Sequence, residues 1–138
     1  MDILSSSVEE TRAAGALAAQ RSQPGDVWAL TGDLGCGKTE FVRGFTAALL
    51  PGSLVRSPTF TILNIYDTPR FPVYHFDFYR VKSPQELFEI GFGEYIHGSG
   101  VCLIEWADMF PNSLPAYTRT LSFIDTGNNN RRITIPDA

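Results

Sequence analysis

The chain has little of what would assign it to several common classes of protein. Only two cysteines, Cys36 and Cys102, occur in 138 residues. Neither belongs to a CxxC pair or a Cys/His cluster of metal-ligand spacing, so no disulfide framework and no zinc site are expected. Lysine is scarce too, present only at Lys38 and Lys82, and eleven basic residues face fifteen acidic ones, for a net charge of −4. That balance supplies no global positive field to hold nucleic acid by counterion release, so any nucleic-acid role is expected to run through a partner. Long apolar runs are absent, none approaching the roughly 20 residues of a membrane span. Met1 to Ser7 lacks the basic start and apolar stretch of a signal peptide. A cytoplasmic protein with no membrane role is expected. Repeats and low-complexity tracts are missing as well, Asn128-Asn129-Asn130 suiting a loop.

What is present is a globular composition, 43% hydrophobic and 12% aromatic. A chain of about 150 residues buries roughly 70% of its unfolded surface, enough for one core without staples. One domain over 1–138 is the resulting reading. Ser7-Val8-Glu9-Glu10 has the spacing of a capping box, and the Ala-rich stretch to Gln20 continues it as a helix. After Pro24-Gly25, Val27-Trp28-Ala29-Leu30 reads as a strand buried on both faces. A second helix is predicted from about Lys38 to Leu50, with Phe41, Phe45, Ala48 and Leu49 near one face. Strands are predicted over Thr61 to Tyr66 and Val73 to Phe78, and a short helix after Ser83-Pro84. Val101-Cys102-Leu103-Ile104 is the second continuous apolar run. A hairpin, Thr118 to Ile124 with Arg132 to Ile135, closes the chain. This alternation predicts an α/β three-layer fold, its sheet mainly parallel with an antiparallel C-terminal edge hairpin, and the GxxxxGK[ST] spacing of Gly32 to Thr39 between strand and helix makes it P-loop NTPase-like.

The strongest chemical signal is Gly32-Asp33-Leu34-Gly35-Cys36-Gly37-Lys38-Thr39, which matches GxxxxGK[ST] between a predicted strand and a predicted helix. Glycines let the backbone curl with its N–H groups toward a phosphate, and the helix N-terminus adds its positive end. Leu34, Gly35, Cys36, Gly37, Lys38 and Thr39 are therefore the expected nucleotide-binding residues. Lys38 would reach the β and γ phosphates, and Thr39 would set its hydroxyl on Mg²⁺. Cys36 occupies a free position of the motif, where a small residue fits. The acid beside the metal is expected at the end of a buried strand, where Glu105 is the first charge after Val101 to Ile104. Trp106 reads equally as a core or lid aromatic and as a site residue. Alternation in His75-Phe76-Asp77-Phe78-Tyr79-Arg80 puts His75, Asp77 and Tyr79 on one side of a strand and aromatics on the other. Asp77 could orient the attacking water, hold a metal-bound water, or pair with Arg80 or His75. His75 by itself carries little signal.

These blocks in this order, with Ser57-Pro58-Thr59-Phe60, Pro84-Gln85-Glu86-Leu87, Ile90-Gly91 and Leu103-Ile104-Glu105-Trp106, resemble the TsaE (YjeE) family over nearly the whole chain. The resemblance implies a small bacterial P-loop ATPase, binding ATP or ADP with Mg²⁺, needed for threonylcarbamoyladenosine modification of tRNA. It implies Thr39 and Glu105 as Mg²⁺ ligands, Thr59 as a switch-like threonine sensing the γ-phosphate, and Asp77 as needed for hydrolysis. TsaD and TsaB would be the partners, meeting tRNA in its place. Arg131 and Arg132 fall where a nucleotide contact near the C-terminus is expected, although they also suit a solvated hairpin end. Ser7 and Thr11 could approach the adenine. Two other readings stay open: a small-molecule kinase, using Arg119, Arg131 or Arg132 to close over phosphates, and a nucleotide-gated binding module.

Overall fold

The protein is described by a computed structural model covering residues 1–33 and 37–136. In chain order its elements are β1 (Asp2–Ser5), α1 (Val8–Gln20), β2 (Val27–Thr31), α2 (Lys38–Leu49), β3 (Leu63–Tyr66), β4 (Val73–Asp77), α3 (Pro84–Glu89), α4 (Phe92–Ile96), β5 (Val101–Glu105), β6 (Arg119–Gly127) and β7 (Asn130–Thr134). All seven strands form one sheet, in the order β1, β7, β6, β2, β5, β4, β3. The four central strands β6, β2, β5 and β4 run parallel. Antiparallel strands flank them, β3 on one side and β7 then β1 on the other. The expected α/β architecture with a parallel core therefore holds. Two features go beyond it: β1 forms the outermost strand beyond the hairpin, and β3 makes the opposite edge antiparallel too.

Local chemistry accounts for the element ends. Ser7 is the N-cap of α1, its hydroxyl accepting from the Glu10 amide at 3.1 Å. The return bond of the capping box goes one residue further back, to Ser6, whose hydroxyl donates to Glu10 Oε1 at 2.6 Å. That bond and one from the Ser6 amide hold the Glu10 carboxyl below the usual carboxylate range. The last hairpin turns on Asn128 and Asn129, with φ of 55° and 63°. Two successive left-handed residues match the twist of the flanking strands, and asparagine tolerates that region better than most side chains.

Alternation along the central strands builds two cores. Trp28, Leu30, Val73, Val101, Leu103, Leu121 and Phe123 face α1 and α2. Val27, Ala29, Phe76, Cys102 and Ile104 face α3 and α4, meeting Leu87, Phe92 and Ile96. On α2 the buried stripe is Phe41, Val42 and Phe45, with Leu49 partly buried. Ala48, expected on that stripe, is exposed, because at the end of α2 it lines an open groove beside Ala13 and Ala16 of α1 instead of meeting the sheet. Burial pushes the Cys102 thiol up to about 12, so it remains a neutral core group.

Helices α1 and α2 cross at two glycines. A methyl on Gly15 would lie 2.0 Å from the Phe41 carbonyl oxygen, and one on Gly44 would lie 1.9 Å from that of Arg12. Each helix thus needs the other's glycine to bring its backbone this close, and this contact sets where α2 begins over the sheet. Gly15→Ala gains up to about 1 kcal/mol of helix propensity but forces the helices apart, an overpacking cost of roughly 1–3 kcal/mol or more. A lower urea midpoint is expected, and an equal or higher one would contradict this close approach.

Candidate active site

Parity places the polar residues. Successive side chains of a strand alternate between faces, so His75 and Asp77 continue the stripe of Val73, and Glu105 continues that of Val101 and Leu103. Asp77 and Glu105 are register partners in adjacent parallel strands, at 3% and 5% exposure. They sit at the C-terminal ends of β4 and β5, where parallel sheets collect their ligands. β2 ends beside them, and α2 opens over them from Gly37, whose φ of 98° is left-handed.

A cavity of about 320 Å³ opens here, lined by residues from distant parts of the chain: Gly37, Lys38, Thr39, Glu40, Ser57, Thr59, Asp77, Tyr79, Glu105, Trp106 and Arg131. Lys38 is buried, its Nζ donating to the Gly32 carbonyl at 2.8 Å and lying 3.9 Å from the Trp106 ring centroid. Trp106 reaches it because its own backbone is left-handed, φ 58°, directly after β5. A large residue in that region carries strain of order 1–3 kcal/mol, which surrounding contacts must offset. Tyr79 adds a tilted ring contact to Trp106, with 5.0 Å between centroids.

Each carboxylate has distinct partners. Asp77 accepts from the Thr59 hydroxyl at 2.9 Å on Oδ2 and from the Tyr79 amide at 2.9 Å on Oδ1. Ser57 bonds Thr59 in turn at 2.8 Å. Glu105 lies with both oxygens 3.4 Å from Thr39 Oγ1, and Oε2 is 2.6 Å from His75 Nε2. Neither Arg80 nor His75 therefore partners Asp77. Arg80 turns outward over the Phe60 ring at 4.3 Å, because β4 ends at Asp77 and the strand alternation no longer applies beyond it.

Several expected site residues thus converge: Gly37, Lys38, Thr39, Thr59, Asp77, Glu105 and Arg131. Leu34, Gly35 and Cys36 lie outside the described residues. A methyl built on Gly37 would meet Arg131 Cδ and Nε at 3.3 Å and Thr11 Cγ2 at 3.4 Å, so both side chains flank the loop. Thr11 has its hydroxyl committed to Ser5 at 2.7 Å, and Ser7 caps α1. Arg132, next to Arg131 in β7, alternates to the other face and does not line the cavity. Arg119 lies at the far end of the sheet, paired with Asp26 at 2.6 Å and over the Trp28 ring, which removes it from any closure over phosphates. His75 is the residue that sequence reasoning underrated. Its position two residues from Asp77 already put it on the same face.

Among the described residues no group of three or more His, Cys, Asp and Glu side chains could hold a metal by itself. A hydroxyl and a carboxylate do converge, however, at Thr39 and Glu105. Mg²⁺ is commonly bound through one or two protein oxygens plus phosphates and water, so this hard-oxygen pair fits that ion.

The profile of one family, described as Threonylcarbamoyl adenosine biosynthesis protein TsaE, matches residues 5–133. The chain belongs to the TsaE family. Among TsaE relatives, the tRNA threonylcarbamoyladenosine biosynthesis protein TsaE of Bacillus subtilis (strain 168) is 44% identical over 126 residues, covering 91% of this chain and 78% of that protein. The protein of the same name from Treponema pallidum (strain Nichols) is 38% identical over 135 residues, 98% of this chain and 99% of its own length. The crystal structure of Bacillus subtilis YdiB is similar at a TM-score of 0.84 and 38% identity, covering 98% of this chain and 83% of that one. No helix among the described residues of this TsaE-family chain is long and apolar enough to cross a membrane.

Thr59 is the side chain that ties its loop to a buried carboxylate. Thr59→Val keeps the shape and removes the hydroxyl, leaving Asp77 Oδ2 without that donor. A loss of about 1.5–3 kcal/mol is expected for a hydrogen bond to a charged group. Urea denaturation at neutral pH measures it, and an unchanged midpoint would mean that solvent replaces the hydroxyl.

Proposed function

We propose that this chain is a Mg²⁺-dependent P-loop ATPase required for threonylcarbamoyladenosine formation in tRNA, acting on or within a TsaD/TsaB complex. The observation that carries the reading is one cavity at the start of α2 that gathers Lys38, Thr39, Glu105 and the Thr59–Asp77 pair. The names of the relatives supply the pathway.

The residues divide the work by chemistry. Leu34, Gly35, Cys36 and Gly37 bind the nucleotide phosphates together with the α2 N-terminus, and the Lys38 ammonium exchanges the Gly32 carbonyl and the Trp106 ring for phosphate oxygens, which bind it more strongly. Thr39 and Glu105 hold Mg²⁺, with Glu105 reached directly or through water. Bound Mg²⁺ supplies charge neutralisation on the β and γ phosphate oxygens. Asp77 orients the attacking water, and Thr59 senses the γ-phosphate by leaving or keeping its Asp77 bond. Arg131 contacts the nucleotide across Gly37, with Ser7 and Thr11 near the adenine.

Hydrolysis by the chain alone is slow in this reading. Arg119 is paired elsewhere, Arg80 faces outward and Arg131 is assigned to holding the nucleotide beside Gly37, so the transition-state charge is expected from a partner, an effect of several orders of magnitude in related chemistry. The acidic balance leaves tRNA to be met through TsaD and TsaB.

Calorimetry with ATP and ADP, beside turnover measured with and without the two partners, tests the proposal. Lys38→Ala should weaken nucleotide binding and abolish turnover with the fold retained, and unchanged affinity would sink the reading. The two acids separate by their Mg²⁺ response. Glu105→Gln should raise the Mg²⁺ needed for half-maximal activity, whereas Asp77→Asn should lower turnover and leave that requirement alone. Equal shifts would move Asp77 into the metal's shell.

A further inference from the structure

Glu105 is held by a side chain that phosphate binding does not call for. His75 has no exposed surface, and its Nε2 lies 2.6 Å from Glu105 Oε2. Its other ring nitrogen, Nδ1, is buried with no hydrogen-bond partner among the described residues. A carboxylate only accepts, so Nε2 carries a hydrogen toward Oε2. The backbones are equally constrained: His75 is in register with Leu103, Asp77 with Glu105, and the Phe78 amide donates to the Glu105 carbonyl at 3.0 Å. The imidazole therefore reaches diagonally across one fixed strand pair to a single carboxylate oxygen.

We propose that His75 is a positioning residue of this site, its Nε2–H pinning Glu105 Oε2 so that the carboxylate stays turned toward the Thr39 hydroxyl. The inference rests on the reading of Glu105 as a holder of Mg²⁺. A glutamate side chain has three rotatable bonds, and without this donor one oxygen of a nearly buried carboxylate loses its closest partner. Partners that orient a ligating carboxylate typically account for 10–100-fold in metal affinity. A merely structural histidine would change stability and leave the metal dependence where it was.

The test is ADP binding by the full chain, measured by calorimetry over a Mg²⁺ series and again in EDTA. His75→Leu should raise the Mg²⁺ needed for half-maximal enhancement of binding by about tenfold, with metal-free ADP affinity unchanged within about twofold. His75→Gln, whose amide nitrogen reaches close to the place of Nε2, should restore most of the loss. Glu105→Gln should raise the requirement by itself, and adding His75→Leu to it should then do nothing more. If His75→Leu does not fold by circular dichroism, His75→Asn, with an amide too short to reach, takes its place beside His75→Gln. A Mg²⁺ requirement that moves with Glu105→Gln but not with the histidine variants overturns the positioning role alone. One that does not move with Glu105→Gln overturns the metal role of Glu105, and this proposal with it.

Discussion

Two carboxylates, Asp77 and Glu105, lie side by side at the ends of neighbouring parallel strands, nearly closed off from water. A buried charge is tolerated only where hydrogen bonds replace its hydration, and two like charges raise that demand. The partners come from separate parts of the chain. Thr59 in the loop before β3 and the Tyr79 amide serve Asp77, while His75 in β4 and Thr39 at the start of α2 serve Glu105. Satisfying two acids thus binds a loop, a helix start and two strand ends into one site. Ile62, entering β3 with a φ of 68°, accepts on its carbonyl from the Asp77 amide at 2.9 Å, which carries the β3–β4 pairing one residue further, up to the site.

That arrangement depends on where α2 begins. The helix is set over the sheet by its crossing with α1, where Gly15 and Gly44 allow backbone contact that any side chain would prevent. Glu40 joins the two helices from the next position after Thr39, bonding Arg12 at 2.8 Å and also Arg43. Those guanidiniums, Arg12's hydrogen bond chief among them, hold the Glu40 carboxyl below the usual range against the opposing effect of partial burial. Its exposure keeps its contribution small, as for other surface ion pairs. Packing in α1 and α2 therefore reaches the site through the placement of Thr39, and the strained Trp106 backbone reaches it through Lys38. Backbone strain of this kind collects where a side chain must be aimed.

Much of this was legible from residue order. The GxxxxGK[ST] spacing, the two apolar runs and the Ser7 cap are local signals, each tied to a physical requirement within a few residues, so β2, α1, α2, β5 and the candidate phosphate loop follow from them. The parity of His75, Asp77 and Tyr79 was likewise correct as far as β4 extends. Short elements were not legible: β1 has four residues and α4 five, too few for a period to show. β1 exists because β7 offers it an edge to pair with, a condition that lies more than a hundred residues away.

By itself the sequence determined the kinds of groups available and their local geometry: a glycine loop before a helix, an acid at the end of an apolar strand, and a basic pair in a hairpin. Only the tertiary structure decided which of them meet. It brought Arg131 to Gly37 and turned Arg132 away, sent Arg119 to Asp26 and Arg80 to Phe60, and gave His75 to Glu105 rather than to Asp77. The reason is physical. Charge and hydrogen-bonding capacity belong to a residue type, but a partner is chosen by strand order, register and the side of the sheet, and these are set by contacts between segments that the linear order keeps apart.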